Sequence, residues 1–123
     1  MAADPDAAKL AAVLGAQPAE TQARYPARHP AETLEFFGIA PGMTVVEALP
    51  GGGWYTKILL PYLGQDGTLI GADYSTDMFP LFGFFTEEQL KKKETWVADF
   101  TADAKEWAGA DGALRRAPAP WDR

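Results

Sequence analysis

No cysteine occurs among the 123 residues, which excludes disulfides and thiolate metal sites. The same absence leaves the redox compartment open, because an exported chain without cysteine reads like a cytosolic one. Histidine is reduced to His29 alone, so an imidazole general base would have to be that residue. Set directly before Pro30, His29 also reads as a structural cap. Basic residues are scarce: 11 Lys and Arg against 17 Asp and Glu give a net charge of −6. Such a surface offers no footprint to a phosphate backbone, and nucleic acid is not expected as a partner. No apolar run reaches the roughly 18 residues that a membrane-crossing helix needs. Met1 to Pro5 lacks both the basic region and the apolar stretch of a signal peptide, yet Ala-Asp-Pro is what often follows an Ala-x-Ala cleavage site. Cytoplasmic and exported locations both stay open.

What the chain has is apolar and aromatic content, 47% and 12%, enough for a globular core and too much for disorder. The length fits one domain at most and is short for a doubly wound sheet of about six strands. Within it, Met43 to Leu63 is the most informative stretch. A short apolar strand, Thr44 to Ala48, carries Glu47 near its end and breaks into Pro50-Gly51-Gly52-Gly53 before a helix over 54–63. Three glycines strip the bend of Cβ atoms and permit positive φ, so a small ligand can approach the backbone. The helix that follows aims its partly positive N-terminus at the same place, which favours an anionic group. A second strand, Thr68 to Asp73, ends in an acid placed to accept hydrogen bonds from ribose hydroxyls. A nucleoside-containing cofactor held across two strand ends is the expectation.

Glycine spacing narrows the choice. The dinucleotide pattern Gly-x-Gly-x-x-Gly, begun at Gly51 and Gly53, puts its last glycine at Thr56, which weakens that reading. A P-loop needs Gly-Lys-Ser/Thr, and Gly53 is followed by Trp54. What remains is Glu47 at the end of a strand, glycines four and six residues on, and Asp73 twenty-six residues after Glu47. This resembles the first two motifs of class I methyltransferases that use S-adenosylmethionine. With Arg28-His29-Pro30, Pro41-Gly42-Met43-Thr44-Val45-Val46-Glu47 and Pro50-Gly51-Gly52-Gly53-Trp54-Tyr55, the chain resembles a family of bacterial predicted methyltransferases over about residues 24 to 73, with a looser likeness to about Asp111. Leu49 departs from the broad class pattern, which has a glycine there. The resemblance implies an α/β, Rossmann-like class I fold, S-adenosylmethionine as cofactor, and Glu47, Pro50, Gly51, Gly52, Gly53 and Asp73 as cofactor-binding residues. Glu47 would then lie near the amino end of the methionine part.

Along the chain, Asp4 reads as the cap of a first helix ending near Gly15, and 16–29 as a linker, so that 1–29 forms an N-terminal helix and linker. Residues 30–112 read as a partial cofactor-binding domain, opening with a helix from Pro30 to Gly38 that docks through Leu34 and Phe37. Pro61 is expected to kink or shorten the helix that contains it. Residues 74 to 85 are aromatic-rich and irregular, and Thr86-Glu-Glu-Gln89 is a capping box opening a helix through Lys91 to Lys93, a solvated face. Trp96 to Phe100 reads as a third strand or as a continuing helix, with Asp99 a candidate to face the adenine and Thr101 capping a last helix to Trp107. Residues 113–123 turn to arginine and proline and read as an irregular tail, non-native or simply disordered. The expected fold therefore stops after about the third strand, leaving the first strand with an open edge through which the chain could self-associate. Trp54 and Tyr55 fit core packing better than adenine contacts. A non-catalytic nucleoside-binding module and a fragment of a NAD-dependent oxidoreductase remain the alternatives to a methyltransferase, whose acceptor the sequence does not identify.

Overall fold

The computed structural model describes residues 4–109. The chain starts with helix α1, Ala7–Gly15, capped by Asp6, whose carboxylate accepts from the Lys9 N–H at 2.9 Å. The cap lies two residues beyond the expected Asp4 because the Asp6 N–H is drawn out of the helix to the Tyr62 hydroxyl at 3.1 Å. The expected linker instead contains two single-turn helices, α2 Ala19–Gln22 and α3 Tyr25–Arg28. Their prolines explain this: Pro18 stands just before α2 and Pro26 within the first turn of α3, where no N–H is needed. Side chains then fix the turns, Gln22 donating to the Gln17 carbonyl at 2.7 Å and Tyr25 to that of Leu14 at 2.7 Å.

His29 joins α3 to helix α4, Pro30–Phe36, in the left-handed region at φ 46°. Leu34 is buried as expected, but Phe37 is 69% exposed and packs edge to face on Phe36. Phe37 is not on the docked face, because the helix closes at Phe36 and Phe37 is its cap.

Strand β1, Thr44–Ala48, pairs in parallel with β2, Thr68–Ala72, in the register Thr44↔Thr68 through Ala48↔Ala72. The crossover is helix α5, Thr56–Leu63, which buries Ile58, Leu59, Leu60, Tyr62 and Leu63. Pro61 has no N–H to offer the Lys57 carbonyl four residues back. The Gln17 side chain supplies the donor instead, at 3.3 Å, and the helix ends two residues after the proline. Tyr62 donates to the Ile39 carbonyl at 3.1 Å while accepting from Asp6, so one buried hydroxyl ties three segments together.

Beyond β2 the chain winds a 3-10 turn, Phe79–Phe82, that buries Phe79 among Tyr74, Phe82 and Phe85. The capping box at Thr86 and Gln89 forms and opens helix α6, Glu87–Glu94. Lys93 is not part of a solvated face, since its ammonium lies 4.7 Å from the centre of the Phe79 ring. The expected third strand is replaced by helix α7, Trp96–Ala108. Phe100, Ala104 and Ala108 recur every four residues and bury one helical stripe against the core, which a strand could not do. Thr101 therefore lies inside a helix, donating to the Val97 carbonyl at 2.7 Å instead of capping. The expected tail at 113–123 lies outside the described residues.

The described residues thus form a mixed α/β arrangement: one βαβ unit whose sheet has two strands, with α1 and α7 packed on α5. Among them β1 pairs only with β2, and Val46 on β1 is 57% exposed. No described helix is long and apolar enough to cross a membrane.

Candidate functional site

The turn between β1 and α5 is built on three left-handed residues: Leu49 at φ 52°, Gly51 at 58° and Gly53 at 83°. For leucine this conformation costs about 1 to 2 kcal/mol. The Leu49 N–H donates to the Ala72 carbonyl at 2.6 Å, which pins the residue just past the last strand pair. The Leu49 backbone takes the shape that glycine favours.

The glycines divide in their surroundings. A Cβ on Gly51 or Gly52 would meet nothing, and both border an open cavity of about 880 Å³. Gly53 faces inward. A Cβ there would lie 2.4 Å from two carbons of the Trp107 indole, so its hydrogen is what lets α7 seat on the turn. Gly53 does not line the cavity.

Glu47 and Pro50 do line it. The Glu47 carboxylate accepts from the Thr56 hydroxyl at 2.5 Å, at the first residue of α5. Burial raises its pKa, and the Thr56 hydrogen bond partly opposes that rise. The helix start that the sequence offers to an anion therefore has a carboxylate bonded to its first side chain, on a cavity that Arg24, Arg28 and Lys57 also line. Thr56, at the place of the third dinucleotide glycine, is fully buried in this role.

Asp73 follows directly on the Ala48↔Ala72 pair, next to the turn but outside the cavity lining, and accepts from the Tyr74 N–H at 2.7 Å. Asp99 accepts from Thr95 at 2.7 Å on the exposed side of α7 and does not line the cavity. His29 is 62% exposed and stands 3.8 Å from Glu32, away from the cavity. Trp54 and Tyr55 stack edge to face at the helix start, and both also form cavity wall.

Sequence reasoning passed over Arg28 and Trp107. The Arg28 guanidinium caps the Trp54 ring at 4.9 Å and reaches the cavity, while the Tyr55 hydroxyl donates to the Arg28 carbonyl at 2.7 Å. On the other flank of α5, Lys9, Gln17, Lys57 and Trp107 border a second cavity of about 560 Å³. Among the described residues no cluster of His, Asp and Glu is arranged to hold a metal ion. Compared with protein-family models, curated proteins and solved structures, the chain matches none of them.

Proposed function

We propose that this chain binds S-adenosylmethionine in the cavity between β1, α4 and the start of α5, as the cofactor-binding part of a Rossmann-like methyltransferase. The observation that carries the reading is the partly buried Glu47 carboxylate facing a glycine-edged cavity. A donor with an ammonium and a sulfonium places positive charge beside such a group, whereas a dinucleotide would bring a pyrophosphate against it. Gly51 and Gly52 leave room for the ligand to touch backbone, and Asp73, on the neighbouring strand end beyond the cavity lining, is the residue proposed to accept from a ribose that extends past the turn. The bound sulfonium supplies an already activated methyl group. The protein then has to orient the donor, and Pro50, Trp54 and Leu59 supply apolar wall for that. A non-catalytic nucleoside-binding module is the second reading, favoured by the distance of the lone histidine from the cavity.

Titration calorimetry with S-adenosylmethionine and with NAD tests the proposal. The methyl donor should bind more tightly than NAD, and Asp73→Ala should weaken it by about 1 to 3 kcal/mol, the scale of a hydrogen bond to a charged group. Tighter binding of NAD would sink the reading, and an unchanged affinity in Asp73→Ala would remove the ribose role.

A further inference from the structure

Helices α1 and α5 pack side by side in opposite directions. The Lys9 ammonium, from the start of α1, comes within 3.0 Å of the place a Cβ on Gly64 would take at the end of α5. At the other end the Gln17 amide donates to the Lys57 carbonyl at 3.3 Å. Between these contacts the two helices and the Trp107 indole border the second cavity, whose volume of about 560 Å³ falls among small-ligand sites, roughly 300 to 1,000 Å³. From Lys57 to Gly64 the helical rise makes this cleft about 10 Å long. Its middle is apolar, with Ala12 and Val13 on α1, Pro61 on α5 and Trp107 on α7. Its ends are basic. The chain has 17 Asp and Glu, yet among the described residues no carboxylate borders the cleft.

The two lysines differ in what they already do. Lys9 lies against the C-terminal end of α5, where the helix dipole favours a cation. Lys57 is the second residue of α5, at the end where a cation is disfavoured, and no carboxylate among the described residues pairs with it. Its half-buried side chain carries the ammonium to 5.1 Å from the centre of the Trp107 ring, and that ring is seated in turn on Gly53. A placed cation thus faces an apolar cleft with no anion in it. We propose that the cleft binds an elongated hydrophobic carboxylate, its charged end on Lys57 and its apolar body laid along Trp107 and Pro61 toward Lys9. Lys57 also borders the cavity assigned above to the methyl donor, but Trp107 borders only the second cleft and Trp54 only the first, so the two sites can be told apart. Nothing in the second cleft depends on a methyl donor being bound.

Octanoate, 3-phenylpropionate and octanol, titrated into the full 123-residue chain, test this through the tryptophan indole resonances, assigned with Trp107→Phe and Trp54→Phe. At least one carboxylate should move the Trp107 resonance and leave that of Trp54 in place; the tighter of the two identifies an alkyl or an aryl body. Octanol, which keeps the chain without the charge, should bind at least about tenfold more weakly than octanoate. Lys57→Met, which retains an apolar stem over Trp107, should lower carboxylate affinity by about 10- to 100-fold, as expected for a charged hydrogen-bonded contact, and leave that of octanol unchanged. Ala12→Leu, at an exposed helix position, fills the middle of the cleft and should abolish the Trp107 shift, which keeps a test in hand should Lys57→Met not fold. No Trp107 shift with either carboxylate overturns the proposal, and so does a shift of Trp54 in its place, which puts the ligand in the first cavity. Equal affinities for octanoate and octanol, equal losses of both in Lys57→Met, or undiminished binding in Ala12→Leu overturn it as well.

Discussion

Gly51 and Gly53 are indistinguishable in sequence and should behave differently when each becomes alanine. Both adopt positive φ, at 58° and 83°, so each substitution carries a backbone penalty of about 1 to 2 kcal/mol. At Gly51 that is the whole cost, because the new methyl group enters open space. At Gly53 it enters the Trp107 indole, 2.4 Å from two ring carbons. Restoring ordinary contact near 3.5 Å needs the ring to retreat by about 1 Å. Overpacking of that kind adds roughly 1 to 3 kcal/mol, so Gly53→Ala should cost about 2 to 5 kcal/mol in all, a large share of the stability of a small domain. Urea denaturation followed by tryptophan fluorescence reads this as a lower midpoint for Gly53→Ala than for Gly51→Ala, with similar slopes. Trp107→Leu supplies the internal control, since in that background the added penalty at Gly53 should shrink to that of Gly51. Equal midpoints for the two single variants, or a Gly53 penalty that stays undiminished once Trp107 is replaced, would refute the seating of α7 on the turn.

Three further outcomes are expected. Burial raises the Glu47 pKa above its unfolded value, so the stability it contributes is present below the unfolded pKa and is lost as pH rises through the folded one; Glu47→Gln should therefore flatten this part of the pH profile and raise the neutral-pH melting temperature, and a variant with the wild-type slope would contradict the assignment. Gln17→Ala should cost about 1 kcal/mol by orphaning the Lys57 carbonyl, and less when combined with Pro61→Ala, which restores a backbone donor; purely additive effects in thermal melts would show that the Gln17 bond is not what satisfies that carbonyl. The edge of β1, unpaired among the described residues, should promote self-association that Val46→Lys suppresses, and light scattering that finds the wild-type chain monomeric would dismiss this.

The βαβ unit was legible in the sequence because its signals are local. An apolar run with Glu47, a glycine break and an apolar helix pattern lie within twenty residues, and β1 has the expected bounds. The capping box at Thr86 was legible for the same reason. Trp96 to Phe100 was not, since five residues of mixed aromatic and β-branched character fit either period. What decides for helix is distant: the Phe100 ring lies against Gly71 on β2, where a Cβ would come within 2.9 Å of it, and Ala104 and Ala108 continue that stripe. Residues 16–29 misled because proline reads as a break in sequence while serving as a helix start in the fold. In the candidate site, Glu47 and the outward glycines could be named in advance. The packing role of Gly53 could not, because it depends on Trp107.

The Tyr62 hydroxyl has a consequence for the order in which the molecule assembles. It joins Asp6 to α5 across 56 residues, so the Asp6 N–H at the start of α1 gains this partner only once the βαβ crossover has been made. Closing so long a loop delays the contact in time more than it weakens it at equilibrium. The helices before β1 are thus synthesised before α5 and seated on it late, and during that interval the apolar flank of α5 that they later cover stays exposed to mispairing.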